Sequence, residues 1–221
     1  MSGFEIFSRT GEVSRAETVK PEAEKTVKSE AGTAGNKARA RFDKIFGDIF
    51  EKADFYTTYK ERLDHVPAES DRTHWKGEKG ESLCVPVGET EAAQKARDKL
   101  SEYGKKGVKY ENGVPKFSPF SEATVKDINM TADRPKNFDQ ADKKTAEQWN
   151  ADARDGRTDW TQQTVEQYRK ENNLSWHECN DTKTMQLVPH DIHEFFNHSG
   201  GVAECKKRDA VIDGGEFDDH K

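Results

Sequence analysis

LSWHECNDTKTMQLVPHDIHEFFNHSGG, residues 174–201, decides how this chain folds around its chemistry. Residues 174–178 alternate apolar and polar side chains and favour a strand. Asn180 and Asp181 open a turn, their short polar side chains suiting its special backbone angles. MQLVP, residues 185–189, is a second strand, closed by Pro189. DIHEFFN, residues 191–197, is a short helix with Asp191 near its positive end. The Gly200-Gly201 pair stops that helix. The unit reads strand, turn, strand, helix.

Residues 174–205 also hold four of the seven histidines and two of the three cysteines. A tight hairpin crossed by a helix can bring His177 against His193 and His198. His193 and His198 are five residues apart, about 140° around an ideal helix. One unbroken helix cannot point both the same way, so the helix is predicted to end or unwind near Asn197. Neutral imidazoles and a carboxylate such as Glu178 are ordinary ligands for a divalent metal. A metal held by few protein ligands keeps positions open for a phosphate oxygen and acts as a Lewis acid. A neighbouring His or Glu that is not bound to metal can deprotonate water. Phosphodiester hydrolysis needs those two parts at minimum. His190 reads as a peripheral polar residue and Trp176 as core.

WHEC, MQLVPHDIH and NHSGG together resemble the HNH/endonuclease-VII superfamily. The likeness is to toxin nucleases whose signature is Trp-His-His or Trp-His-Glu. It is strong over residues 174–205 and weaker upstream, through WKGEKGES, YENGVPKFS and residues 138–150. Residues 1–60 carry none of it. The resemblance implies a metal-dependent DNA endonuclease, with RNA as a variant substrate. It implies a C-terminal effector of a bacterial polymorphic toxin, delivered with or as part of a larger secretion-system protein. Such an effector is secreted or injected, acts in the target-cell cytoplasm, and is neutralised by a cognate immunity protein. By position, His177 is implied as metal ligand or general base. Glu178 stands where many relatives carry a second His, often the base. His193 and His198 are implied as metal ligands. The metal is a divalent ion: Mg, Mn, Zn or Ni.

Two other readings compete. His177-Glu178 begins an HExxH zinc-peptidase pattern, but position 181 holds Asp181 where that pattern needs His, and the segment is not helical. A non-catalytic module stapled by zinc is the second. Cys84, Cys179 and Cys205 lack CxxC spacing and cannot build a disulfide framework. Free thiols in a reducing compartment are the plain expectation. A Cys179–Cys205 link or zinc pair is the alternative.

The rest of the chain is polar. Charged residues make up 35% of 221 and hydrophobic ones 32%, with net charge −6 and mean hydropathy −1.08. That balance argues against bulk electrostatic binding of nucleic acid and leaves room only for a local basic patch. Lys183, Arg169, Lys206 and Lys207 are the candidate phosphate contacts, with Lys170 and Arg208 nearby. No apolar run is long enough to span a bilayer, and residues 1–20 carry no signal-peptide core. GEKGES lacks the GK[ST] ending of a phosphate loop.

Residues 1–36 read as a flexible arm or linker. Phe42, Ile45, Phe46, Ile49 and Phe50 form one face of an amphipathic helix. A loop over 64–81 precedes a strand at 82–87. A helix over 89–104 presents Ala92, Ala96, Leu100 and Tyr103 and stops at Gly104. Asn112-Gly113 marks a hairpin. A strand near ATVKDINM is followed by a helix over 137–150 and a third helix capped near Asp159 or Thr161. The expectation is an α+β fold: a helical N-terminal half, a small mixed region, and a C-terminal ββα-metal (HNH-type) motif. The units are 1–36, 37–130 and 131–221, the last being the nuclease with a disordered C-terminal tail.

Overall fold

The computed structural model describes residues 55–213. The expected arm and the helix around Phe42–Phe50 lie outside them. The first described helix, α1 (Tyr59–His65), is held by a capping box between Thr58 and Glu61. Two strands follow, β1 (Thr73–Trp75) and β2 (Leu83–Pro86). The first was not foreseen: three residues offer too little alternation to stand out from a predicted loop. Helix α2 (Glu91–Glu102) starts at the N-cap Thr90 and stops where Gly104 adopts φ 64°. It buries Ala93, Ala96 and Leu100. Ala92, expected on that face, is exposed, because the buried stripe runs one residue further along. Strands β3 (Val108–Glu111) and β4 (Val114–Pro115) join through Asn112 and Gly113, both at positive φ, as a two-residue hairpin turn requires. These four strands form one antiparallel sheet in chain order.

A 3₁₀ turn at Ser118–Phe120 leads to β5 (Ala123–Val125). Helix α3 (Arg134–Ala151) begins three residues before the predicted start, because Asp133 caps it by accepting from Lys136 N and Pro135 suits a first turn. Helix α4 (Gln162–Glu171) is capped by Thr161. Then come β6 (Leu174–Glu178), β7 (Met185–Pro189) and α5 (His190–Phe195). The strands have the bounds the sequence predicts. The turn between them differs in one respect: Thr182, not Asn180 or Asp181, takes the positive φ. Asp181 instead accepts from Lys183 N and Thr184 N, tying the turn with its side chain. The Gly-Gly pair does not end the ordered chain; it opens a further helix, α6 (Gly201–Asp213).

The second sheet has the order β5-β7-β6, all antiparallel. Its central strand β7 is buried along its whole length and divides two cores. Met185, Leu187, Leu174 and Trp176 face a core with Val125, Ala141, Trp149 and Val165. Val188 faces the other core, with Leu100, Tyr110, Phe117 and Phe120. Strand side chains alternate between faces, so a one-residue slip would exchange the two sets. Each fully buried aliphatic side chain contributes about 1.5–3 kcal/mol, which fixes the register firmly. The fold is α+β, with helices packed beside two small antiparallel sheets.

Candidate metal centre

The register puts His177 opposite Gln186 and Trp176 opposite Leu187. Alternation then sends Trp176 and Glu178 to the α3 side of the sheet and His177 to the other. There His177 meets two imidazoles from the segment after β7. His193 comes from the last turn of α5. The helix ends at Phe195, and Phe196 leaves it with φ −93° and ψ 80°. That break, predicted near Asn197, swings His198 back toward His177. Among the described residues, one cluster gathers three or more metal-capable groups: His177, His193 and His198, with ligand atoms all within 4.8 Å of one another.

The break is held on both flanks. The buried Tyr110 hydroxyl on β3 donates to Asn197 O at 2.9 Å. Asn180 Nδ2, from the β6–β7 turn, donates to Ser199 O at 2.9 Å. Gly201 makes the close approach possible: a Cβ there would lie 2.6 Å from Cys179 O and would also strike Met130 Sδ. The helix stop expected at this pair falls earlier, at Phe195, and Gly201 has a packing reason instead.

His198 Nδ1 donates to Phe196 O at 2.9 Å. In a neutral ring this leaves Nε2 as the lone-pair nitrogen. It lies 3.1 Å from His177 Nδ1. A carbonyl partner that fixes the tautomer of an imidazole is the usual support of a metal ligand. Tetrahedral zinc with Zn–N of about 2.0–2.1 Å needs ligand nitrogens roughly 3.3 Å apart, so the 3.1 Å spacing fits such an ion. Burial lowers all three histidine pKa values, with neighbouring positive charge assisting. His177 falls well below the ordinary range. His193 falls to about 3 and His198 to about 4. The donor set is therefore neutral imidazole, the form that ligates.

Glu178 sits on the opposite face, with 6% of its surface exposed. Asn137 Nδ2 donates to its Oε1 at 2.9 Å and Arg134 Nε to its Oε2 at 3.1 Å. Burial raises its pKa, against the opposing pull of those two partners. Glu178, His193, His198 and Arg134 share the lining of a cavity of about 770 Å³ with Lys206, Lys207 and Glu61. His177 is buried and does not line it. Lys207 pairs with Glu61. Lys183 stands at the exposed β6–β7 turn and Arg169 bonds the buried Asp142, which also accepts from Trp176 Nε1. Neither joins the cavity lining. His190 is apart from the cluster, bonded to Ser175 Oγ.

The sequence reading missed Arg134 and Asn137. Both belong to α3, more than forty residues before Glu178, and no local pattern connects them. A polar residue at 0% exposure beside the half-buried Phe138 is the structural trace of that contact.

Comparison with known families gives one finding. Residues 107–200 match the DNase/tRNase domain of colicin-like bacteriocin. The match spans β3 through Gly200 and so contains all three clustered histidines. It supports a nuclease toxin domain in this stretch. No curated protein matches the chain. Among the described residues no helix is long and apolar enough to cross a membrane.

The cysteines stay apart from this chemistry. All three are free thiols, Cys84 and Cys205 buried and Cys179 half-buried, so the Cys179–Cys205 link does not form. Burial pushes the Cys84 and Cys179 thiols up to about 12. Native protein treated with a thiol-reactive dye at pH 8 is expected to show almost no fast reaction, and three thiols once denatured. A rapidly reacting thiol in the native state would contradict this placement.

Proposed function

We propose that the chain is a metal-dependent endonuclease of HNH type, acting on DNA as an antibacterial toxin. The observation that carries this reading is the convergence of three neutral imidazoles, two of which line a cavity that also holds a carboxylate and an arginine. His177, His193 and His198 would hold the ion. A bound divalent cation supplies Lewis acidity toward phosphate oxygens. His177, walled off from the cavity, serves as ligand and not as base. Glu178 is the group left to accept a proton from water. Attack by that water breaks the P–O3′ bond, and the leaving oxygen takes its proton from solvent. Arg134 holds the Glu178 carboxylate in place and presents positive charge to the cavity. Lys206 and Lys207 offer further charge for the phosphate backbone.

The family description covers both DNase and tRNase domains, so DNA and RNA are tested side by side. The bacteriocin likeness also favours a cognate immunity protein as partner and release from the producing cell as the route.

Purified protein is expected to nick supercoiled plasmid with at least one of Mg²⁺, Mn²⁺, Zn²⁺ or Ni²⁺, and to stop when chelator is added. Glu178→Gln keeps the shape and one acceptor oxygen. It is expected to lower the cleavage rate by about 10²–10⁴-fold while metal binding is retained. Cleavage of RNA alone would overturn the DNA reading. Absence of cleavage of either nucleic acid with every metal would overturn the nuclease.

A further inference from the structure

One aromatic ring touches all three imidazoles. Phe117 lies with its centroid 4.8 Å from His177, 5.6 Å from His193 and 5.5 Å from His198. Two of these contacts, those to His177 and His198, are edge-to-face. The three imidazole rings are themselves 4.8–5.5 Å apart. Phe117 is 1% exposed. It therefore backs the cluster on the side away from the cavity, where only His193 and His198 reach the lining.

The ring is fixed from two directions. The β3–β4 hairpin delivers the chain to it, with Lys116 N donating to Lys109 O at 2.8 Å. The next residue, Ser118, accepts from Gln186 Nε2 at 2.9 Å. Gln186 is the residue paired across the sheet with His177. The turn that carries Phe117 is thus tied to the partner of the first histidine.

We propose that Phe117 is a positioning residue of the metal site. Its ring sets the planes of His177, His193 and His198 and keeps water off their rear, leaving the cavity as the side from which an ion would reach them. This rests on the metal-centre reading above. Edge-to-face contacts of this kind are specific in geometry, and residues that orient metal ligands without binding the ion typically change affinity by about 10–100-fold.

The test compares Phe117→Leu with Phe120→Leu. Phe120 is equally buried, at 2% exposure, lies in the same turn, and contacts Tyr103 rather than the imidazoles. Zn²⁺ affinity is measured by competition with a chromophoric chelator, the Co²⁺-loaded absorption spectrum reports coordination geometry, and Tm in chelator reports the fold. Phe117→Leu is expected to bind Zn²⁺ about tenfold more weakly and to alter the Co²⁺ spectrum. Phe120→Leu is expected to lower Tm and leave both metal readouts at wild-type values. If wild type binds neither ion, the metal centre itself falls, and this proposal with it. If wild type binds and Phe117→Leu matches it, or Phe120→Leu loses as much affinity, the positioning role alone falls.

Discussion

His198→Ala is expected to lose nuclease activity by about 10³-fold or more, and to bind metal at least about 10²-fold more weakly, with the fold retained. Three features make His198 the most informative ligand. Its Nε2 points at His177 across 3.1 Å. Its Nδ1 is committed to the Phe196 carbonyl, so the ring has little freedom to turn away. Its segment is held independently by Tyr110 and Asn180, so removing the imidazole leaves the backbone anchored. Plasmid nicking, Zn²⁺ titration and thermal unfolding in chelator separate these effects. Near-wild-type nicking by His198→Ala would remove the triad from the mechanism. Loss of activity together with loss of the folded transition would show instead that His198 is structural.

The hairpin and its helix were legible because local signals there agree. Alternation over 174–178, the apolar run at 185–189, Asp181 in the turn and Pro189 at the end all favour one arrangement. The predicted break before His198 followed from helical geometry alone. The surroundings of the site were not legible, because they come from distant parts of the chain. Phe117, Arg134 and Asn137 reach it by packing, and each reads locally as an ordinary loop or helix residue. The second half of the Gly-Gly signal was also hidden. Glycine marks both helix ends and close backbone approach, and here Gly201 serves the approach while a new helix begins. Glu178 shows a further limit. Adjacent to His177 in sequence, it lies on the other face of the strand, and its partners on α3 distinguish its environment from that of the ligands.

Glu204→Ala is expected to cause the largest loss of stability, about 3–5 kcal/mol, from several buried donors left unsatisfied. Glu204 is 0% exposed in α6, beyond the family match. Its carboxylate accepts from Tyr56 N at 2.6 Å, Thr57 N at 2.8 Å and Asn180 Nδ2 at 2.8 Å, and from the Thr57 hydroxyl. Four donors on two distant segments converge on one buried carboxyl group. Alanine removes the acceptor and leaves those donors without compensation, which costs more than the pairings themselves return. The same residue joins the site to the start of the described chain. Asn180 links Glu204 to Ser199 O, next to His198, while Thr57 and Glu61 form part of the cavity wall. Urea unfolding is expected to show the lowered midpoint, and thermal unfolding a Tm lower by roughly 10 °C. Hydrogen exchange should rise at the Tyr56 and Thr57 amides before it rises in β7. A loss under about 1 kcal/mol, the scale of a single ordinary hydrogen bond, would mean that water replaces the carboxylate and that this wall of the cavity stands without it.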